Sequence, residues 1–158
     1  MSRSRIISAC VLATAITTAA CAGRSSTAGP APAPTQAPPV SPALGIDLAE
    51  FTRTSLGLYW RDVRVGEGAE ARVNSRVTVA YRGMLASTAV PIDSSGGIRI
   101  SLSQDPIIRG WKLGIPGMKV GGARVLVIPP QLAYGMREVP NVPAGSTLVF
   151  RIQLIAVQ

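Results

Sequence analysis

Residues 107–118 read Ile107-Ile108-Arg109-Gly110-Trp111-Lys112-Leu113-Gly114-Ile115-Pro116-Gly117-Met118, and their reading decides the fold. Ile107, Ile108, Trp111 and Ile115 recur near helical spacing. Asp105-Pro106 stands in front, an N-cap side chain followed by proline at the first helical position. The spacing predicts a helix of about two to three turns, ended by Gly114 or Gly117. Trp111 directly after Gly110 is the unusual element, because only 4% of the chain is aromatic. A tryptophan on so short a helix either plugs a core or forms a surface on which something rests.

Around this segment the apolar residues alternate with period two, the mark of half-buried strands. Val77, Val79 and Tyr81 share one face, as do Ile98, Ile100 and Leu102, and as do Leu148, Phe150, Ile152 and Leu154. Segments 57–65 and 123–128 are two further strand candidates. In the first, Leu58 and Trp60 are out of phase with Val63 and Val65, which predicts a bulge or bend. Asp47 to Phe51 can form a helical turn at the domain edge. About five strands with one helix across one face is an α+β design.

Composition excludes several chemistries. The chain has no histidine, which removes the imidazole of most hydrolase and zinc sites. Its two cysteines, Cys10 and Cys21, lie near the N-terminus and offer the folded part neither a metal cluster nor a disulfide framework. No metal and no cofactor is expected. The net charge is +8, but the basic residues are scattered, without a dense run or an aromatic-interleaved stripe. Nucleic acid is therefore not an expected partner.

The N-terminal residues read as an address. Arg3 and Arg5 precede an apolar stretch from Ile6 to Ile16, and Ala19-Ala20 suits a signal peptidase. Residues 1–20 are expected to be a signal peptide. Cys21 resembles the lipidated cysteine of a bacterial lipobox, although Thr18 stands where leucine is usual. Ordinary secretion with a free thiol is the alternative. Ala22 in place of aspartate points to the outer membrane. Six prolines fall between Pro30 and Pro42, so residues 21–45 are expected to be a lipidated cysteine and a Pro/Ala-rich tether. Residues 46–158 remain as the folded domain. The expected location is the periplasmic face of a bacterial envelope, with a lipid anchor as the sole membrane attachment.

The motifs VTVAYRGML, IDSS, PIIRGWKLGIPGMKVGG, VLVIPPQLAYG and VPAGSTLVFRIQLI, in this order, resemble the FKBP-type peptidyl-prolyl cis-trans isomerases from about residue 56 to 157. The resemblance implies a curved antiparallel sheet of about five strands wrapped around one short helix, with an apolar pocket between them. It implies catalysis of rotation about X–Pro bonds, without cofactor or covalent step. It places Trp111 at the pocket floor, with Tyr81, Tyr134 and Phe150 around it. Ile108 would supply an apolar wall and a backbone N–H to a substrate carbonyl, with Ile107 beside it. Asp93 would polarise or orient the amide, and its other possible role is to cap the turn Ser94-Ser95-Gly96-Gly97. Tyr134 would offer a hydroxyl at the rim. The loop after it, with Val139 and Val142, would hang over the entrance.

Two residues depart from the family pattern. Ile92 and Ile98 stand where phenylalanine is usual, so the pocket stays apolar with less aromatic packing. Proline-containing polypeptides are the implied partners, and macrolides of the tacrolimus type a further ligand class. A monomer is expected. Two other roles fit the same residues: a non-catalytic proline-peptide chaperone or adaptor, and a rigid structural head on an envelope lipoprotein.

Overall fold

In a computed structural model, residues 37–158 are described. The expectations for the signal peptide, for Cys21 and for most of the tether lie outside these residues. Six strands form one sheet in the order β1-β2-β5-β6-β3-β4, every neighbouring pair antiparallel. They are β1 (Thr52–Arg53), β2 (Tyr59–Arg64), β3 (Arg76–Leu85), β4 (Pro91–Ser101), β5 (Ala123–Ile128) and β6 (Leu148–Val157). The sixth strand beyond the expected five is β1, whose two exposed residues carry no period-two signal. The out-of-phase segment becomes β2, with its register shift between Asp62 and Arg64. Val63 at the shift and Val65 beyond it are exposed.

The helix is shorter than its spacing predicted. Helix α1 spans Arg109–Gly114, six residues, and opens from Ile108 without a side-chain cap. Asp105 is engaged elsewhere: its carboxylate accepts the Ser101 amide at 2.8 Å and closes the turn that leaves β4. Pro106 therefore precedes the helix instead of starting it. Gly117, at φ +84°, reverses the chain just beyond the helix.

Two glycines let α1 lie close on the sheet. A Cβ at Gly110 would come within 2.4 Å of Ile128, and one at Gly114 within 2.7 Å of Leu126. Spaced four apart, they form one stripe facing β5. Arg124, buried on the same strand, ties down the helix end. Its Nη1 donates to the Gly114 carbonyl at 2.8 Å and to that of Pro116 at 3.3 Å. Its Nε and Nη2 donate to the two oxygens of Asp62 at 2.6 and 2.9 Å. Its guanidinium also stacks 4.2 Å from the centre of the Trp60 ring. A buried cation is tolerable only when its donors are satisfied in this way.

Each face of the sheet has its own core. Leu126, Ile128, Leu148, Ile152 and Leu154 meet Trp111 and Ile115 on the helix side. On the other side Val125, Val127 and Val149 meet Leu44, Phe51 and Tyr59. Residues read as the end of the tether belong to this second core. Leu44 is buried, Val40 packs beside it, and the Ser41 amide donates to the Ala86 carbonyl at 2.7 Å. The expected turn at Asp47 is a 3-10 turn, Leu48–Glu50, with the Asp47 carboxylate accepting the Ala49 amide. Arg61 pairs with Glu50 and lies over Phe51, fixing this segment against β2.

Gly110→Ala is expected to cost about 1–3 kcal/mol, the usual penalty for overpacking, because β-branched Ile128 cannot swing clear. Gly96→Ala, where an added Cβ meets nothing within 4 Å, is expected to cost nothing. Denaturant unfolding of the two variants checks the difference; equal stabilities would refute the close-approach reading.

Candidate active site

Strand β3 turns Tyr81 toward the helix, and β6 brings Phe150 alongside it. Trp111 lies beneath both and is 6% exposed. The Trp111 ring meets Tyr81 edge-on at 4.9 Å and 78°, and Phe150 at 5.3 Å and 88°. Tyr81 and Phe150 are 6.1 Å apart. Edge-to-face contact sets the positive rim of one ring against the negative face of another. The indole N–H is buried with no acceptor among the described residues. The contacts of the indole with two rings offset that lost hydrogen bond.

Above the rings opens a cavity of about 210 Å³. Tyr81, Trp111 and Phe150 line it, with Ile107 and Ile108 ahead of the helix. Asp93 and Ile98 of β4 and Tyr134 line it as well. Tyr134 is 39% exposed and stands at the rim. Among the described residues, the Ile108 amide donates to no backbone carbonyl, while its carbonyl accepts from Trp111 N at 3.1 Å. The first turn of a helix leaves such donors free for another acceptor.

Asp93 works in two directions at once. Its Oδ1 accepts the Ser94 amide at 2.8 Å. Its Oδ2 accepts the Tyr81 hydroxyl at 2.5 Å. Residues 94–97 do not form the turn expected of them. They continue β4, with a register shift opposite Val79 and Tyr81. Burial pushes the Tyr81 hydroxyl up from 10.0 to about 12, and the Asp93 hydrogen bond and charge add to the shift.

Three residues expected at the substrate surface stand elsewhere. Ile92 lies behind the cage. An added Cβ on Gly83 would meet Phe150 at 2.6 Å and Ile92 at 3.1 Å, so glycine at 83 leaves room for both. Val139 and Val142 exchange backbone hydrogen bonds of 3.1 and 2.9 Å across Pro140-Asn141. Asn141 takes φ +64° at the tip. Val142 is buried in the helix-side core and Val139 packs on it, so the pair stiffens the loop rather than lining the cavity. The sequence reading missed Ile100 and Pro106 as lining residues. Ile100 was legible from its alternation with Ile98, whereas Pro106 was assigned to the helix start.

At alkaline pH the Tyr81 shift predicts a loss of stability. The unfolded chain releases the phenolic proton near 10 and the folded chain near 12. Between these values the unfolded state binds fewer protons, so stability falls as pH rises. Tyr81→Phe is expected to remove that component of the slope in denaturant melts across the window. In Asp93→Asn, tyrosinate absorbance is expected to appear at lower pH, yet still above 10 because burial persists. An unchanged Tyr81 titration would refute the coupling.

Comparison with known proteins agrees with this geometry. Residues 67–155 match the FKBP-type peptidyl-prolyl cis-trans isomerase family. A "Probable FK506-binding protein" of Corynebacterium glutamicum is 50% identical over 98 residues, 60% of this chain and 82% of that protein. FkpA of Buchnera aphidicola, named as an FKBP-type peptidyl-prolyl cis-trans isomerase, is 43% identical over 112 residues, 70% of this chain and 46% of that protein. The crystal structure of AtFKBP13 superposes with a TM-score of 0.63 and 34% identity, covering 69% of this chain and 99% of that one. The chain spans between 22% and 46% of the length of the longer relatives it matches. A sheet with one short helix and a three-ring cage between them, matched over more than half of its length, places this chain in the FKBP-type peptidyl-prolyl cis-trans isomerase family.

Proposed function

We propose that the cavity over Trp111 binds the proline of an X–Pro segment and accelerates rotation about the preceding bond. The observation that carries this reading is the cage of Tyr81, Trp111 and Phe150 beneath an opening edged by Asp93, Tyr134 and the free Ile108 amide. Rotation about a peptide bond faces a barrier of ~18–20 kcal/mol from partial double-bond character. X–Pro bonds populate both isomers yet exchange over tens to hundreds of seconds. No proton or electron has to pass to the protein. The twisted amide is less conjugated and less dipolar than the planar one, so an apolar cavity disfavours the planar form. The walls then favour the twisted shape, and only such differential binding raises the rate.

Each residue has a definable part. Trp111 carries the pyrrolidine ring on its indole. Ile108 donates its amide to a substrate carbonyl and holds it while the bond turns. The Tyr81 proton is engaged by Asp93, so Tyr81 offers its ring face, and Tyr134 is the hydroxyl donor at the rim. The Asp93 charge sits beside the amide dipole and interacts differently with its planar and twisted forms. Ile98 supplies aliphatic wall, comparable in burial to a phenylalanine though without a ring face.

The rate of cis-to-trans conversion in a proline tetrapeptide tests this reading. The full chain is expected to accelerate it. Asp93→Ala and Trp111→Leu are each expected to slow it about tenfold, equivalent to about 1.4 kcal/mol of lost transition-state stabilisation. A spontaneous rate with wild type would defeat the proposal. Peptide binding without acceleration would instead assign the chaperone or adaptor role, and Ile98→Phe would then be the variant expected to gain turnover.

We further propose that the domain acts on exported polypeptides from a lipid anchor at Cys21 on the bacterial envelope. The charged, apolar and small-residue succession of residues 1–21 supports this. Among the described residues no helix is long and apolar enough to cross a membrane. Intact-mass measurement of membrane-extracted protein is expected to show an acylated chain starting at Cys21, and a mass without acyl chains would refute the anchor.

A further inference from the structure

On the face of the sheet opposite the helix, a groove of about 320 Å³ crosses strands β2, β5, β6 and β3. Val63, Ala80, Ala123 and Val125 give it an apolar floor. It continues the patch that the segment from Val40 to Phe51 covers further along the same face. The polar residues beside the floor have an unusual arrangement. Arg61, Val125, Arg151, Arg82 and Ser94 occupy one cross-strand row, each paired with the next. Directly opposed residues on neighbouring antiparallel strands share a face and lie about 5 Å apart.

Arg151 and Arg82 are thus like charges set directly opposite, an arrangement that destabilises a sheet when nothing intervenes. Arg61 has Glu50 as its counter-ion. Arg151 donates to the Leu44 carbonyl at 3.0 Å, which satisfies one donor and leaves its charge uncompensated. Arg82 is exposed and has no hydrogen bond or ion pair to a described residue. No carboxylate lines the groove. Two arginines at directly opposed strand positions, each carrying a planar fork of donors, match carboxylates spaced along an extended chain. The floor beside them is a recess that takes an apolar side chain.

We propose that this groove binds an acidic polypeptide segment, its carboxylates held by Arg82 and Arg151 and an apolar side chain resting on Val63, Ala80, Ala123 and Val125. The site lies on the other face of the sheet from the Trp111 cavity and requires no proline in its ligand. A client engaged here by an acidic stretch would leave its X–Pro bonds free to reach the cavity.

The test uses the full chain and a labelled proline-free peptide of alternating Glu and Leu. Fluorescence anisotropy is expected to show saturable binding that weakens with added salt. A peptide with Lys in place of Glu is expected not to bind. Arg82→Glu is expected to weaken binding roughly tenfold or more through charge reversal, while Arg82→Gln weakens it less and tetrapeptide isomerisation stays unchanged in both. Peptide-induced amide shifts are expected at Ala80, Ala123, Val125 and Gln153. Failure of the Glu-Leu peptide to bind, or binding indifferent to Arg82, would overturn the proposal. So would shifts centred on Ile108 and Trp111. Capture of phosphatidylglycerol vesicles through Arg82 without peptide binding would replace it with a membrane contact.

Discussion

The seating of α1 on β5 is the constraint on which the rest depends. A helix of six residues has too few internal hydrogen bonds to hold itself. It persists because Gly110 and Gly114 bring its backbone onto Ile128 and Leu126, and because Arg124 fixes its last carbonyls. The close approach decides what the other side of the helix does. With glycine facing the strand, Trp111 projects beside Tyr81 and Phe150 instead of being spent as a spacer. Larger residues at the two glycine positions would lift the helix and open the cage.

Arg124 makes this seating polar as well as apolar. Its guanidinium joins β2, β5 and the helix end in one cluster, with Asp62 as counter-ion and Trp60 as a lid. A cation near helix carbonyls also complements the partial negative charge there. Replacing the arginine with lysine would keep the charge but lose the planar fork that reaches both partners. The cage and this clamp are therefore coupled through a helix of fewer than two turns.

Much of this was legible in the sequence. The period-two faces of β3 and β6 and the apolar run Val125 to Ile128 in β5 carry direct signals. That run reflects burial on both sides, by the helix and by the segment around Leu44. The cage residues followed from linked motifs rather than from any one of them. The misreadings have physical causes. Asp105 is a good helix cap in isolation, but the β4 turn competes for its carboxylate. Prolines at 38, 39 and 42 hide the anchoring role of Leu44, because composition does not report contacts a hundred residues away. Val139 and Val142 looked like pocket walls because they are apolar near an entrance, yet their backbones pair with each other. The arginine row was invisible, since its members lie far apart in the chain and meet only through strand order.

The position of β6 in that order has a consequence for assembly. It follows every other strand in the chain, yet it lies between β5 and β3 and hydrogen-bonds to both. Until it arrives, the sheet is two separate pieces, β1-β2-β5 and β3-β4, with open edges facing each other. A chain emerging from its N-terminus therefore gains the cavity over Trp111 in one late event. Such long-range closure is slow compared with local helix formation, and until it is complete the nascent domain is itself in need of protection.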